Sequence, residues 1–252
     1  MSGRALHLTE AGRIALDHAD AIFATGRELL ATLSDTGGRR TALRVGALAP
    51  LSRNFQLSFL RPILGRADVE VLLRSGSEAE LLTALEALHL DLVLTNQPPP
   101  PDALTPFNVR RLDEQPVSLI GLPALCPADM SLEQRLAQTP LILPTAASTL
   151  RVGFDAVAAR FEGELNIAAE VDDMAMMRLL ARDGVGLAVL PPIVVQDELS
   201  SGALIEAAGL PGLTEAFYGV TVERRFPNPL LREVLEAPLP SPSPPTREGM
   251  PA

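Results

Sequence analysis

Cysteine is nearly absent from this chain. The single Cys126 excludes an internal disulfide framework and a cysteine metal cluster. Histidine is scarce as well. His7, His18 and His89 are scattered, which argues against a His-rich metal site. Lysine is missing, so all 21 basic residues are arginine. Acidic residues number 31, the net charge is −10 and the sequence pI is near 4.8. Nonspecific binding to a phosphate backbone is therefore not expected. No apolar run reaches membrane-spanning length. The opening MSGRALHLTEAG has no apolar core of a secretory signal. These absences predict a cytoplasmic protein without metal, cofactor or membrane contact. What is present is apolar mass. With 47% hydrophobic residues, the 252-residue chain can bury a large core as one domain or two small lobes.

The most informative stretch is Glu170 to Pro192, EVDDMAMMRLLARDGVGLAVLPP. It reads as strand end, helix, tight turn and strand. Asp172 and Asp173 suit an N-cap and first turn, where carboxylates accept free N–H groups and meet the positive end of the helix dipole. Met174, Met177 and Ala181 repeat at helical spacing, with Arg178 and Arg182 in the last turns. Gly184 suits the residue after the helix. Gly186 permits a second unusual backbone angle or a close approach. Leu187 to Leu190 is apolar throughout, as a strand covered on both faces should be.

Before this stretch, Leu8 to Leu33 reads as one amphipathic helix, capped by Thr9 and striped with Ile14, Ile22, Phe23, Leu29, Leu30 and Leu33. Ser34 to Gly38 is a hinge by composition. From Thr41 strands and helices alternate. The pattern predicts strands over Leu43–Leu48, Val69–Leu73 and Leu90–Leu94, with helices over Ser52–Leu64 and Ser77–Leu88. Gln97 to Pro101 must be a loop. Val117–Leu122 crosses into a second unit. Its expected strands are Leu141–Leu143, Leu165–Glu170, Ala203–Glu206 and Ala216–Glu223, and its expected helices are Ser148–Phe161 and, closing the chain, Asn228–Leu235. Alternation of this kind implies α/β architecture with mostly parallel sheets. Pro238 to Ala252 is Pro/Ser-rich and expected to be disordered.

Leu8-Thr9-Glu10-Ala11-Gly12 before a long helix resembles the wing end and linker helix of LysR-type transcriptional regulators. Leu43-Arg-Val-Gly46, Leu90-Asp-Leu-Val-Leu-Thr95 and Gly184-Val-Gly-Leu-Ala-Val-Leu-Pro191 resemble that family's effector-binding domain in order and spacing. Pro144-Thr145, Ser148-Thr-Leu-Arg151, Glu170-Val-Asp-Asp173 and Tyr218-Gly-Val-Thr-Val-Glu-Arg-Arg225 look most like its NhaR-like branch, which activates sodium/proton antiporter genes. The resemblance implies a two-lobed periplasmic-binding-protein-like fold preceded by a linker helix. It divides the chain into a wing remnant and linker helix over 1–36 and an effector-binding domain over 41–237. Lobe one would hold about 41–116 and 224–237, lobe two about 117–223, and a tail 238–252. The family's DNA-reading helix-turn-helix stands before the linker. Here the chain starts inside the wing, so a fragment, a mis-started frame or a natural truncation is expected, with DNA contact only through that missing domain.

In open α/β folds ligands bind outside the carboxyl ends of the strands. The expected effector site, for a small molecule or an ion, is therefore Pro50, Leu51, Ser52, Ser75, Ser77, Thr95, Asn96, Thr145, Ser148 and Asp172. Ser52, Ser77 and Ser148 can each cap a helix, and a plain cap is the simpler role for each. The resemblance implies that the family's contacts fall on the Pro50–Ser52 turn, Thr95 and Thr145. Ala49, Pro50 and Leu51 stand where many relatives offer hydroxyls, which disfavours the usual polar organic acid. Homo-oligomerisation is expected through the helix Ser52–Leu64, whose apolar residues exceed one face, and through the linker helix. A solute-binding protein of a transport system would need an export signal. An interaction module pairing with full-length regulators is a further alternative. Gly184-Val-Gly186 lacks the third glycine of a dinucleotide loop, and no Ser/His/Asp or Cys/His set is in place. Cys126 beside Pro127 reads as a passive thiol. No enzyme is expected.

Overall fold

The computed structural model describes residues 9–13, 15–16, 18–19, 22–23, 25–26, 29, 40–100, 107–161 and 163–239. The described residues from 10 to 29 are all helical. Thr9 caps them as expected, its Oγ1 accepting from the Gly12 N–H at 3.1 Å. Leu16, Ile22, Phe23 and Leu29 on this helix are exposed. Ile14, Leu30, Leu33, the Ser34–Gly38 hinge, Pro101 and the tail from Pro240 lie outside the described residues.

One eight-stranded sheet runs through the molecule. Its strands are β1 (Thr41–Leu48), β2 (Val69–Gly76), β3 (Leu92–Thr95), β4 (Phe107–Gly121), β5 (Leu141–Pro144), β6 (Ile167–Val171), β7 (Leu187–Leu190) and β8 (Ile205–Val222). The spatial order is β2-β1-β3-β8-β4-β7-β5-β6. The helices are α1 (Arg53–Leu60), α2 (Glu78–Glu86), α3 (Leu132–Gln138), α4 (Thr149–Ala158), α5 (Met174–Arg182), α6 (Gln196–Ser201) and α7 (Pro229–Glu236). Parallel strands β2, β1 and β3 make one half. Parallel strands β7, β5 and β6 make the other. The two long strands β4 and β8 run antiparallel to each other and carry β3 at one end and β7 at the other. Two α/β halves joined by a shared pair of crossing strands give the two-lobed architecture.

Four of the seven strand pairings are parallel, as expected, and the three made by this crossing pair are antiparallel. Ala203–Glu206 and Ala216–Glu223 are not separate strands; both ends belong to β8. Pro211 and Gly212 mark an irregularity within it, where pairing with β4 skips from Gly209 to Thr214 around Pro116–Ser118. Leu213 in this bulge is buried, and its side chain fills the space above Gly153 of α4. Val117–Leu122 is likewise only the buried end of β4, whose first half is solvent-facing and charged. Helices α3 and α6 carry no apolar periodicity long enough to announce them.

Local signals hold elsewhere. Helix α5 ends in a Schellman motif: Gly184, at φ +77°, donates to the Ala181 carbonyl and Val185 to that of Leu180. Gly186 provides the close approach, since a Cβ there would collide with the Pro140 carbonyl, and Leu187 N donates to that oxygen at 2.8 Å. The turn therefore fixes the start of β7 against β5. Leu187 to Leu190 are fully buried, as expected for a strand covered on both faces. Among the described residues no helix is long and apolar enough to cross a membrane.

Candidate effector cleft

The parallel strands of both halves end at a common cleft, and the turns after them build its wall. It encloses about 440 Å³. Leu48 ends β1, and Ala49 and Pro50 follow it; Gly76, Ser77 and Glu78 lead from β2 into α2; Asn96 and Gln97 follow β3. From the other half come Pro144, Thr145, Ala147, Ser148 and Thr149, leading from β5 into α4, then Val171 at the end of β6, Asp172 after it, and Met174 and Met177 of α5.

The structure thus brings together Pro50, Ser77, Asn96, Thr145, Ser148 and Asp172 of the expected set. Four others do not reach the lining. Leu51 is buried at 2% exposure. Ser52, equally buried, turns its Oγ to the Phe55 N–H at 3.3 Å as the cap of α1. Ser75 accepts from Arg53 Nη1 at 2.9 Å. Thr95 folds its hydroxyl onto its own chain, donating to the Gln97 carbonyl at 2.9 Å and accepting the Gln97 N–H at 3.2 Å. The Ser52 and Thr95 side chains are spent on their own turns.

Two lining serines are caps as well. Ser77 and Glu80 form a capping box on α2, and Ser148 Oγ accepts from Leu150 N at 3.2 Å on α4. Asp173 caps α5, accepting from Ala175 N at 3.0 Å, which leaves Asp172 facing the cleft. Among the described residues neither the Thr145 hydroxyl nor the Asp172 carboxylate has a partner. The Thr145 backbone is nonetheless fixed, donating to the Val171 carbonyl at 3.1 Å. These are groups positioned without being used.

Glu78, Gln97 and the methionines of α5 were missed by sequence reasoning. Glu78 follows a recognised cap, and Met174 and Met177 read as core; only the convergence of the halves shows that they also face a cavity. Behind the lining lies Glu215 of β8, 3% exposed. Its Oε1 accepts from Asn96 Nδ2 at 2.9 Å. Burial pushes its carboxyl up to about 7, against a smaller lowering by the Asn96 hydrogen bond. Cys126 is buried, and burial raises its thiol pKa, which disfavours a nucleophilic role. Among the described residues no group of three His, Cys, Asp or Glu side chains could hold a metal.

Comparison with known proteins agrees with this architecture. The model of the LysR substrate binding domain matches residues 36–238. The HTH-type transcriptional activator CmpR of Synechocystis sp. (strain ATCC 27184 / PCC 6803 / Kazusa) is 24% identical over 219 residues, covering 83% of this chain and 69% of that protein. Among solved structures, the bromide ion-bound regulatory domain of HypT from Salmonella typhimurium superposes with a TM-score of 0.57 at 17% identity, over 78% of this chain and 94% of that one. A sulfate-bound mutant regulatory domain of OxyR2 from Vibrio vulnificus gives 0.59 at 15%, over 79% and 94%. Vibrio fischeri DarR in complex with DNA gives 0.60 at 16%, over 90% and 78%. With the family match spanning most of the chain and the same fold recurring in these regulators, the protein belongs to the LysR substrate-binding-domain family.

Proposed function

We propose that this chain is the effector-sensing and dimerisation region of a cytoplasmic, non-catalytic LysR-type regulator, and that its effector binds in the cleft between the halves. The observation that carries the reading is the pair of unpartnered polar groups, Thr145 and Asp172, held at converging strand ends around a cavity of about 440 Å³. That volume suits a small molecule. An effector that binds the closed cleft better shifts the balance between lobe arrangements, and the dimer passes the change to DNA-binding domains. We assign residues 1–36 to the wing remnant and linker helix, 41–237 to the sensing domain and 238–252 to a tail. The likeness to the NhaR-like branch extends the reading to a regulator of sodium/proton antiporter genes.

The dimer forms through α1. Leu57 and Leu64 stay exposed on or just after this helix, at 51% and 41%, after its other apolar residues have covered the sheet. A second copy is the natural partner for such an excess. Light scattering on a chain starting at Thr41 tests this: a dimer at tens of micromolar is expected, and a monomer would refute it. For the effector, a thermal-shift screen of salts and small organic ions is decisive, since a ligand of the native state alone raises the midpoint. The Thr145→Val variant should lose most of any such rise. The antiporter branch predicts a higher midpoint in sodium chloride than in potassium chloride at equal ionic strength.

A further inference from the structure

The lining of the cleft carries charge of one sign only. Glu78 enters from the first turn of α2 in one half, and Asp172 from the turn after β6 in the other. Among the described residues no arginine lines the cavity, and the chain has no lysine. Arginines next to the lining are already engaged. Arg151 donates to the Pro144 carbonyl at 3.1 Å, but Glu170 and Asp155 neutralise it. Arg53 is turned to Ser75, and Arg178 is paired with Glu198 at 2.8 Å. The connection leaving β3, Gln97 to Pro106, contains Asp102 and no basic residue.

Helix dipoles do not reverse this sign. The N-termini of α2, α4 and α5 open on the cleft, and each is worth roughly +0.5 of a charge. Against these partial charges stand the full carboxylates of Glu78, Asp172 and the cap Asp173. An anion entering here would be desolvated beside like charges with no cation to meet it. Much of the remaining wall is apolar, with Leu48, Pro50 and Val171 beside the thioethers of Met174 and Met177, which adapt to irregular shapes.

Resting on the effector reading of this cleft, we infer that it takes an organic cation, an apolar body bearing an ammonium group held between Asp172 and Glu78, and that it rejects carboxylate effectors. The same placement supplies a closing force. An ammonium ion between carboxylates of opposite halves is attracted to both, so the ligand binds the closed arrangement better, as a population shift requires.

Three probes of one shape test the inference: cyclohexylmethylamine, cyclohexylmethanol and cyclohexanecarboxylate, each at 10 mM and low ionic strength. Thermal unfolding of the full chain is followed for the parent, Glu78→Gln, Asp172→Asn, and Ala147→Trp, which fills the cleft without changing its charge. The amine should raise the parent midpoint by a few degrees, and the acid should not. Each charge variant should lose most of the rise, and Ala147→Trp all of it. A rise with the acid that Ala147→Trp abolishes overturns the cation assignment and leaves the cleft reading standing. A rise with the amine that survives Ala147→Trp overturns the cleft reading itself. No rise with the amine overturns the ammonium ligand. A sodium-specific rise lost in both charge variants, with none from the amine, would overturn the organic body. The sign is also read without any ligand. In an Ala147→Cys variant, a cationic methanethiosulfonate should react on the order of 10-fold faster than an anionic one, relative to a free thiol, and the ratio should fall in Asp172→Asn. Buried Cys126 makes the parent chain the blank. A ratio of one or less overturns the inference.

Discussion

Asp91 and Glu215 are both buried carboxylates, and their surroundings differ in kind. Asp91 sits just before β3 with its side chain fully covered. One oxygen accepts from Arg224 Nη1 at 2.8 Å; the other accepts from the Arg44 N–H at 2.8 Å and from Asn228 Nδ2 at 3.3 Å. Arg224 also donates to the Leu90 carbonyl, and Asn228 to that of Ala42. The acid thus staples the chain after β8 to β1 and to the start of β3. Glu215 lies in the crossing strand itself. It faces Gln115 across the β4–β8 ladder and has Asn96 as its hydrogen-bond donor, with no cation beside it. One acid is compensated by charge and holds a joint. The other is left poised near neutrality, beside the residue that links it to the cleft.

The contrast breaks most visibly at Asp91. Its removal leaves the Arg224 guanidinium, 6% exposed, without a counter-charge. Asp91→Ala is expected to cost about 3–5 kcal/mol, the usual penalty for an orphaned buried ion. Equilibrium unfolding in urea measures it, and a cost under about 1 kcal/mol would show the staple to be ornamental.

Glu215 should answer in the opposite direction and only at high pH. Its carboxyl titrates near 7 in the folded chain, above its ordinary value near 4.5. Between these values the folded state holds more protons than the unfolded state. Stability is therefore lost as pH rises through that window, and the loss is complete above about 7. The gap is worth about 3 kcal/mol. Glu215→Gln, always neutral, should match the parent at pH 4 and exceed it by about that amount at pH 8. Thermal melts at the two pH values decide it, and equal stability at pH 8 would refute a buried, poised acid.

These two sites also mark what the sequence made legible. Four caps were local and could be read: Ser52, Ser77, Ser148 and Asp173 each bond an N–H two or three residues on. The turn at Gly184 and Gly186 was legible for the same reason. Asp91 lay in a recognised motif, but its partner Arg224 is 133 positions away, and no local pattern announces such a pair. Glu215 gave no signal at all. In Leu213-Thr-Glu-Ala216 it reads as a polar residue on an exposed face, and only the pairing of β8 with β4 buries it. The first half of β4 was hidden because Arg110, Arg111, Asp113 and Glu114 carry no apolar period. Ser52, Ser75 and Thr95 also stand at strand ends, but their side chains are spent on their own turns or neighbours.

The smallest effect sharpens the link between the crossing strands and the cleft. Asn96 lines the cavity and donates to Glu215, so its amide lowers the cost of ionising a carboxyl that burial disfavours. In Asn96→Ala the acid should titrate still higher. The variant should lose about 1 kcal/mol at pH 8, where the hydrogen bond serves a charge, and less at pH 5, where the carboxyl is neutral. In a Glu215→Gln background the pH-dependent part of that loss should vanish, because no charge remains to be solvated. A double-mutant cycle melted at both pH values isolates this coupling from any packing change. A loss of the same size at pH 5 and pH 8, unchanged by Glu215→Gln, would mean that Asn96 supports the turn after β3 and leaves the acid behind it alone.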